Sequence, residues 1–170
     1  MFYEHVFREL ERCKVQYLVV GGTALVLHGV VRLTKDLDIF VDFSPSNLRK
    51  FIDAMVRLGY KPKVPVKAED FIDPENREKW KREKNMKVFS FYHPEKPEEL
   101  IDIFVYEPIK FDEAKKEKKI MKAQGISIPV ISIRNLKRLK RLANRPQDLA
   151  DVEALENLER LEKSHEKNKI

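Results

Sequence analysis

LVVGGTALVLHGVVRLTKDLDIFVD, residues Leu18 to Asp42, is the stretch on which the fold turns. Leu18, Val19 and Val20 form a continuous apolar run, which reads as a buried strand ended by Gly21 and Gly22. Two glycines tolerate backbone angles that other residues resist, so the strand meets a tight turn. Thr23 to Gly29 fits a brief helix, with Gly29 placed to stop it. The first turn of such a helix aims backbone N–H groups past Gly22 and Thr23, an arrangement that favours a phosphate. From Asp36 to Asp42 polar and apolar residues alternate with period two, so Asp36, Asp38 and Asp42 share one face of a second strand and Leu37, Ile39 and Val41 the other.

Carboxylates side by side on a strand repel one another, and a cation between them relieves the repulsion. Hard oxygen donors select Mg²⁺ or Mn²⁺ over zinc, and Mg²⁺ is commonly shared between one or two carboxylates and substrate phosphates. A phosphate-holding turn beside an Asp pair therefore suits a nucleoside triphosphate. A third carboxylate is expected at Asp102, flanked by Ile101 and Ile103 in another apolar run, LIDIFVY.

Gly21-Gly22, a short helix, Asp36-Leu37-Asp38 and a later Asp102 in a hydrophobic strand together resemble the nucleotidyltransferase superfamily with the DNA polymerase beta palm fold. His28-Gly29, Arg32 and Thr34-Lys35-Asp36-Leu37-Asp38 look most like the bacterial and archaeal transferases of abortive-infection and toxin–antitoxin type. Lys140-Arg141 followed by Arg145-Pro146-Gln147-Asp148-Leu149-Ala150-Asp151 resembles a motif of the same group. The likeness runs from about Tyr17 to Leu158 and is weak between Phe43 and Glu99. Gln147 stands where the group has Lys, and Gly22 where better-known transferases have Ser.

The resemblance implies a mixed, mostly antiparallel sheet flanked by helices, and a Mg²⁺- or Mn²⁺-dependent transfer of a nucleoside monophosphate to a hydroxyl or phosphate acceptor. In that scheme Asp36, Asp38 and Asp102 hold two metal ions, and Asp102 takes the acceptor proton. Gly21, Gly22 and Thr23 position the phosphates, and Arg32, Lys140 and Arg145 contact the nucleotide. The acceptor is open among tRNA, a protein and a small molecule, and a partner protein is compatible with the motif. The alternative is a non-catalytic nucleotide- or RNA-binding module of a two-protein system, for which three carboxylates have no chemical use.

The length suits one domain with a proper core. Charged residues make up 36% of the chain with both signs mixed, a thermophile-like surface. The net charge of +6 suits a polyanionic partner such as a nucleotide. A single cysteine, Cys13, excludes an internal disulfide. No run reaches membrane-spanning length and no leader opens the sequence, so the expectation is a cytoplasmic protein.

Elsewhere, Phe2, Val6, Phe7 and Leu10 have helical spacing. Ser44-Pro45 opens a helix whose apolar face, Leu48, Phe51, Ile52, Met55, Val56 and Leu58, ends at Gly59. Pro62 and Pro65 confine Tyr60 to Val66 to a sheet edge or a loop. Asp73 to Lys87 reads as a solvated helix or loop around Trp80. Met86 to Tyr92 and Leu100 to Tyr106 make a hairpin across a turn at Pro94 to Glu99. Phe111 to Gln124 has no clear period, and Ile126 to Ile131 is a strand split by Pro129. Ser132 caps a helix to Ala143, and Pro146 starts another to about Lys163 with Leu149, Val152, Leu155, Leu158 and Leu161 as its stripe. The order argues an α+β domain: residues 1–131 as the catalytic part and 132–170 as a helical pair packed on it. His28 reads as a core histidine rather than a base, Lys137 as part of a solvated face, and Asp148 and Asp151 as anchors for Lys140 or Arg145.

Overall fold

The computed structural model describes residues 2–167, so positions 168–170 of the expected helical end lie outside the described residues. The strands are β1 (Tyr17–Val19), β2 (Leu37–Val41), β3 (Lys61–Pro62), β4 (Val88–His93), β5 (Lys96–Phe104), β6 (Lys119–Ala123) and β7 (Ile126–Val130). The helices are α1 (Glu4–Arg12), α2 (Gly21–Leu27), α3 (Pro45–Arg57), α4 (Pro74–Lys84), α5 (Phe111–Lys116), α6 (Ile133–Ala143) and α7 (Pro146–Lys167), with a 3-10 turn at Ala68–Ile72. One mixed sheet has the order β3-β4-β5-β2-β1-β7-β6. The β2–β5 and β1–β7 pairs are parallel and the others antiparallel, so the α+β, mostly antiparallel reading holds at that level.

The two faces of the sheet are sealed differently. Along β4 and β5, Phe89, Phe91, Ile101 and Ile103 are buried, whereas Ser90, Leu100 and Asp102 on the other face are only half-buried. On the sealed face α3 brings Phe51 to 6.0 Å from Phe91, and α4 stacks Trp80 on Phe89 at 5.2 Å. Helix α4 is therefore no free flap: its one indole is core, and the buried Arg77 guanidinium lies over Phe43 and Phe71 while donating to the carbonyls of Phe71 and Ile72. The other face is closed at one end by Phe111 of α5, against Phe40 at 5.1 Å.

Several expected boundaries move. Helix α2 begins at Gly21, two residues earlier than the spacing predicts, because the glycines form its first turn. Tyr3 replaces Phe2 in the core: Phe2 is exposed, and the Tyr3 hydroxyl lies within donating distance of the carbonyls of both Lys35 and Leu100 and accepts from the Leu100 N–H. The turn before β5 is shorter than expected, since pairing with β4 extends to Lys96. The stretch without a clear period resolves into α5 and β6, and Pro129 does not split β7 but lies opposite Ile120 of the edge strand β6. In α7, Val152 and Leu155 are buried as the stripe requires, while Leu149 and Leu161 are exposed. No described helix is long and apolar enough to cross a membrane.

Candidate active site

Strands β2 and β5 run parallel with Leu37 beside Ile101, Asp38 beside Asp102 and Ile39 beside Ile103. Directly paired residues on neighbouring strands point to the same face, about 4.8 Å apart in the pairing direction. Asp38 and Asp102 thus form a carboxylate pair on the open face. Ser90 of β4 is opposite Asp102 in the antiparallel register and donates its hydroxyl to Asp102 Oδ1 at 2.5 Å. Asp38, Asp102 and Ser90 make one row across three strands.

Asp36 stands outside the strand row. It lies in a bend before β2 and is exposed, and among the described residues no group of three or more His, Cys, Asp or Glu side chains gathers as a metal centre. Its charge still bears on the pair, since each further carboxylate raises the cost of ionising the others. Burial, then the charge of Asp102, push the Asp38 carboxyl up to about 6, against weaker help from the Gly22 N–H and Lys140. Burial also raises Asp102, relieved by the Ser90 hydroxyl, raised again by the charge of Asp36 and lowered by Lys63.

The Gly-Gly pair is required by space. Gly21 has φ +61°, and a Cβ there would stand 1.9 Å from Asp38 Oδ2. The Asp38 side chain occupies the volume that any other residue would fill. Gly22 is similarly confined, its virtual Cβ 2.6 Å from Thr34 Oγ1 and 3.5 Å from Arg32 Nε. The Gly22 N–H points to Asp38 Oδ2 at 3.4 Å, and Thr23 Oγ1 donates to the carbonyl of Asp36 at 3.1 Å. The segment singled out for phosphate is therefore folded directly onto the carboxylates.

The tail contributes a second charged layer. Lys140 of α6 is buried, with its Nζ 3.1 Å from Asp148 Oδ1 and 2.8 Å from Asp151 Oδ2 of α7. Arg145 chelates Asp148, its Nε 2.7 Å from Oδ2, and Asp151 also pairs with Arg32 Nη1. Arg32 Nε is buried with no hydrogen-bond partner. The charge of Lys140 reaches Asp38, and that of Asp38 raises Arg145, so this network adjoins the carboxylate pair. Asp148 and Asp151 anchor the cations, as expected.

Two other expectations resolve. His28 Nε2 meets the carbonyl of Ile131 at 2.7 Å in a buried setting, a satisfied core histidine. Lys137 is not solvated: its Nζ bonds Glu159 at 2.7 Å and ties α6 to α7. Ser90 escaped the sequence reading, although a lone serine between Phe89 and Phe91 signals the open face once the hairpin register is known.

No family model matches the chain, and no curated protein sequence matches it. Solved structures do. The lincosamide antibiotic adenylyltransferase LnuA with lincomycin bound has a TM-score of 0.58 at 18% identity, over 91% of this chain and 94% of that one. The antibiotic-resistance enzyme ANT(2'')-Ia in complex with adenylyl-2''-tobramycin gives 0.54 at 12% identity, over 98% and 95%. An antigenic nucleotidyltransferase-like protein from Paracoccidioides brasiliensis gives 0.55 at 13%, over 88% and 71%. Likeness at such identity is one of fold, and the fold of this chain is the nucleotidyltransferase fold.

Proposed function

We propose that the protein is a nucleotidyltransferase that moves a nucleoside monophosphate from a nucleoside triphosphate to an acceptor hydroxyl, releasing pyrophosphate. The observation that carries this is the Asp38–Asp102 pair, in register on adjacent parallel strands beneath the Gly21–Gly22 turn. A binding module has no need of two apposed carboxylates held in mutual repulsion.

An all-oxygen donor set under that repulsion fits a hard divalent cation, so Asp38 and Asp102, joined by Asp36, would hold Mg²⁺ or Mn²⁺. When bound, the ion neutralises phosphate charge and acidifies the acceptor hydroxyl. The chain's own residues do the rest. Gly21, Gly22 and Thr23 place the triphosphate, the Gly22 N–H exchanging its Asp38 partner for a phosphate oxygen. Lys140, Arg145 and Arg32 form the cationic side, and Arg32 Nε, without a partner among the described residues, is a donor beside Gly22. The acceptor oxygen bonds to the α-phosphorus as the bond to pyrophosphate breaks, and Asp102 takes the hydroxyl proton.

Adenylyl transfer in two of the structural neighbours makes ATP the first donor to test. A toxin–antitoxin-type partner is the finer reading of the tail motif, and a cytoplasmic location is kept as part of the proposal. The test is pyrophosphate release and label transfer from each of four labelled nucleoside triphosphates with Mg²⁺ or Mn²⁺, using Asp38→Asn as the blank. Release that is equal in the blank refutes the assignment.

A further inference from the structure

The row of Asp38, Asp102 and Ser90 has a neighbour one same-face step along the strands. Leu100 of β5 is opposite Tyr92 of β4, and Asp36, in the bend before β2, lines the same cleft as Leu100. Two residues of strand span about 7 Å, so this second row lies within one small molecule's reach of Asp102. It floors an open cleft of about 750 Å³, which is bounded on the β3 side by Pro62, Val64 and Pro65.

We propose that this cleft holds the acceptor, and that the acceptor is a small hydroxyl compound with an apolar ring or chain, not a nucleic acid. The inference rests on the nucleotidyl-transfer reading and adds the substrate class to it. Three observations carry it. The first is sidedness: Gly21, Arg32, Lys140 and Arg145 all lie toward β1 and the tail helices, so triphosphate bound there presents its α-phosphorus across the Asp38–Asp102 row. In-line displacement then brings the attacking oxygen from the opposite side, where the cleft opens along β5, β4 and β3.

The second is lining. Tyr92 is exposed, Leu100 half-buried, and with the prolines and Val64 they give a largely apolar surface of a volume usual for small-molecule sites. The third is charge. Lys35 and Lys63 are balanced by Asp36 and Glu98, so the cleft lacks the cationic excess that a phosphate backbone requires. A hydroxyl on a compound seated over Tyr92 and Leu100 reaches Asp102, whose carboxylate accepts its proton as the new bond to phosphorus forms.

The test uses the full chain and amide NMR shifts. Hexyl and phenyl β-D-glucoside are titrated against methyl β-D-glucoside, which has the same sugar hydroxyls without the apolar group, and against bulk tRNA. The expected result is that the hexyl and phenyl compounds shift the amides of Val64, Tyr92 and Leu100 at least tenfold more tightly than the methyl compound. Tyr92→Ala abolishes that preference and leaves ATP affinity unchanged. No preference for the apolar compounds, shifts confined to other regions, or tRNA shifting these same amides overturns the proposal. Cleft binding without any nucleotide binding leaves an apolar-ligand site but refutes the transferase reading on which the acceptor role rests. Nucleotide binding without cleft binding refutes the acceptor site alone.

Discussion

Replacing Asp38 by Asn tests the site through stability alone, with no substrate required. Burial and the neighbouring Asp102 charge raise the Asp38 carboxyl from its ordinary 3.8 to about 6. An acid whose folded pKa lies above its unfolded one contributes stability that is complete below the unfolded value and is lost as the pH rises through the folded value. The rise is just over two pH units, and at 1.36 kcal/mol per unit this bounds the cost of the ionised Asp38 at about 3 kcal/mol at neutral pH. Asn removes that cost and keeps an acceptor for the Gly22 N–H, but forfeits the attraction of Lys140. A net gain of about 1–3 kcal/mol in a chain of this length corresponds to roughly 2–10 °C in melting temperature. Thermal melts at steps between pH 4 and 8 should show Asp38→Asn above wild type at pH 8, with the gap closing by pH 4. Adding Mg²⁺ should raise wild type and leave the variant where it is. A variant less stable than wild type at pH 8, or a gap that does not change with pH, refutes the account of the pair as mutually repelling carboxylates.

Four further substitutions probe the other layers. Lys140→Ala takes the shared cation from Asp148 and Asp151, which keep Arg145 and Arg32, so it should cost about 1–3 kcal/mol in denaturant melts and weaken nucleotide binding, whereas Lys137→Ala, which breaks a more exposed pair, should cost up to about 1 kcal/mol and leave nucleotide affinity alone. Gly21→Ala pushes a methyl group into Asp38 at a positive φ, and a left-handed alanine alone costs about 1–2 kcal/mol; loss of both melting temperature and transfer is expected, and normal transfer would show that Asp38 does not need its present place. Ser90→Ala removes a bond that holds the Asp102 carboxyl down, so the acid limb of the pH–rate profile should move to higher pH, with an unmoved limb excluding Asp102 as the titrating group.

The carboxylates were legible because their signal is local. Period-two alternation put Asp38 and Asp102 each on a polar face of a hydrophobic strand, and that parity survived folding. Asp36 was read by the same alternation, but the strand begins at Leu37, so alternation does not fix its side in the bend before it. Ser90 and the cleft needed the cross-strand register of the β4–β5 hairpin, which neither strand shows by itself, and the hairpin is tighter than expected, with an irregularity between Tyr92 and His93. The family resemblance singled out Lys140 and Arg145, with Asp148 and Asp151 as their anchors, but whether Lys137 was solvated depended on how α7 lies against α6, and no single-helix periodicity reports that. The missed β6 shows the same limit: its burial comes from β7 beside it, while its own residues are mostly exposed.

The parallel pairing of β2 with β5 also has a kinetic meaning. Asp38 and Asp102 are 64 positions apart in the chain, and α3, the β3 edge, α4 and the β4 strand must all be traversed before they become neighbours. Closing so long a loop in parallel is among the slower steps available to a folding domain, because the entropy is spent before the contact forms. The antiparallel β1–β2 and β4–β5 ladders are local and can assemble first, each carrying one carboxylate with no partner to repel it. Docking the two ladders then creates the repulsion in the same event that creates the site. A cation present during refolding should accelerate that docking step where it leaves the earlier hairpin phases untouched, so a divalent ion that fits the pair would act as a late folding ligand.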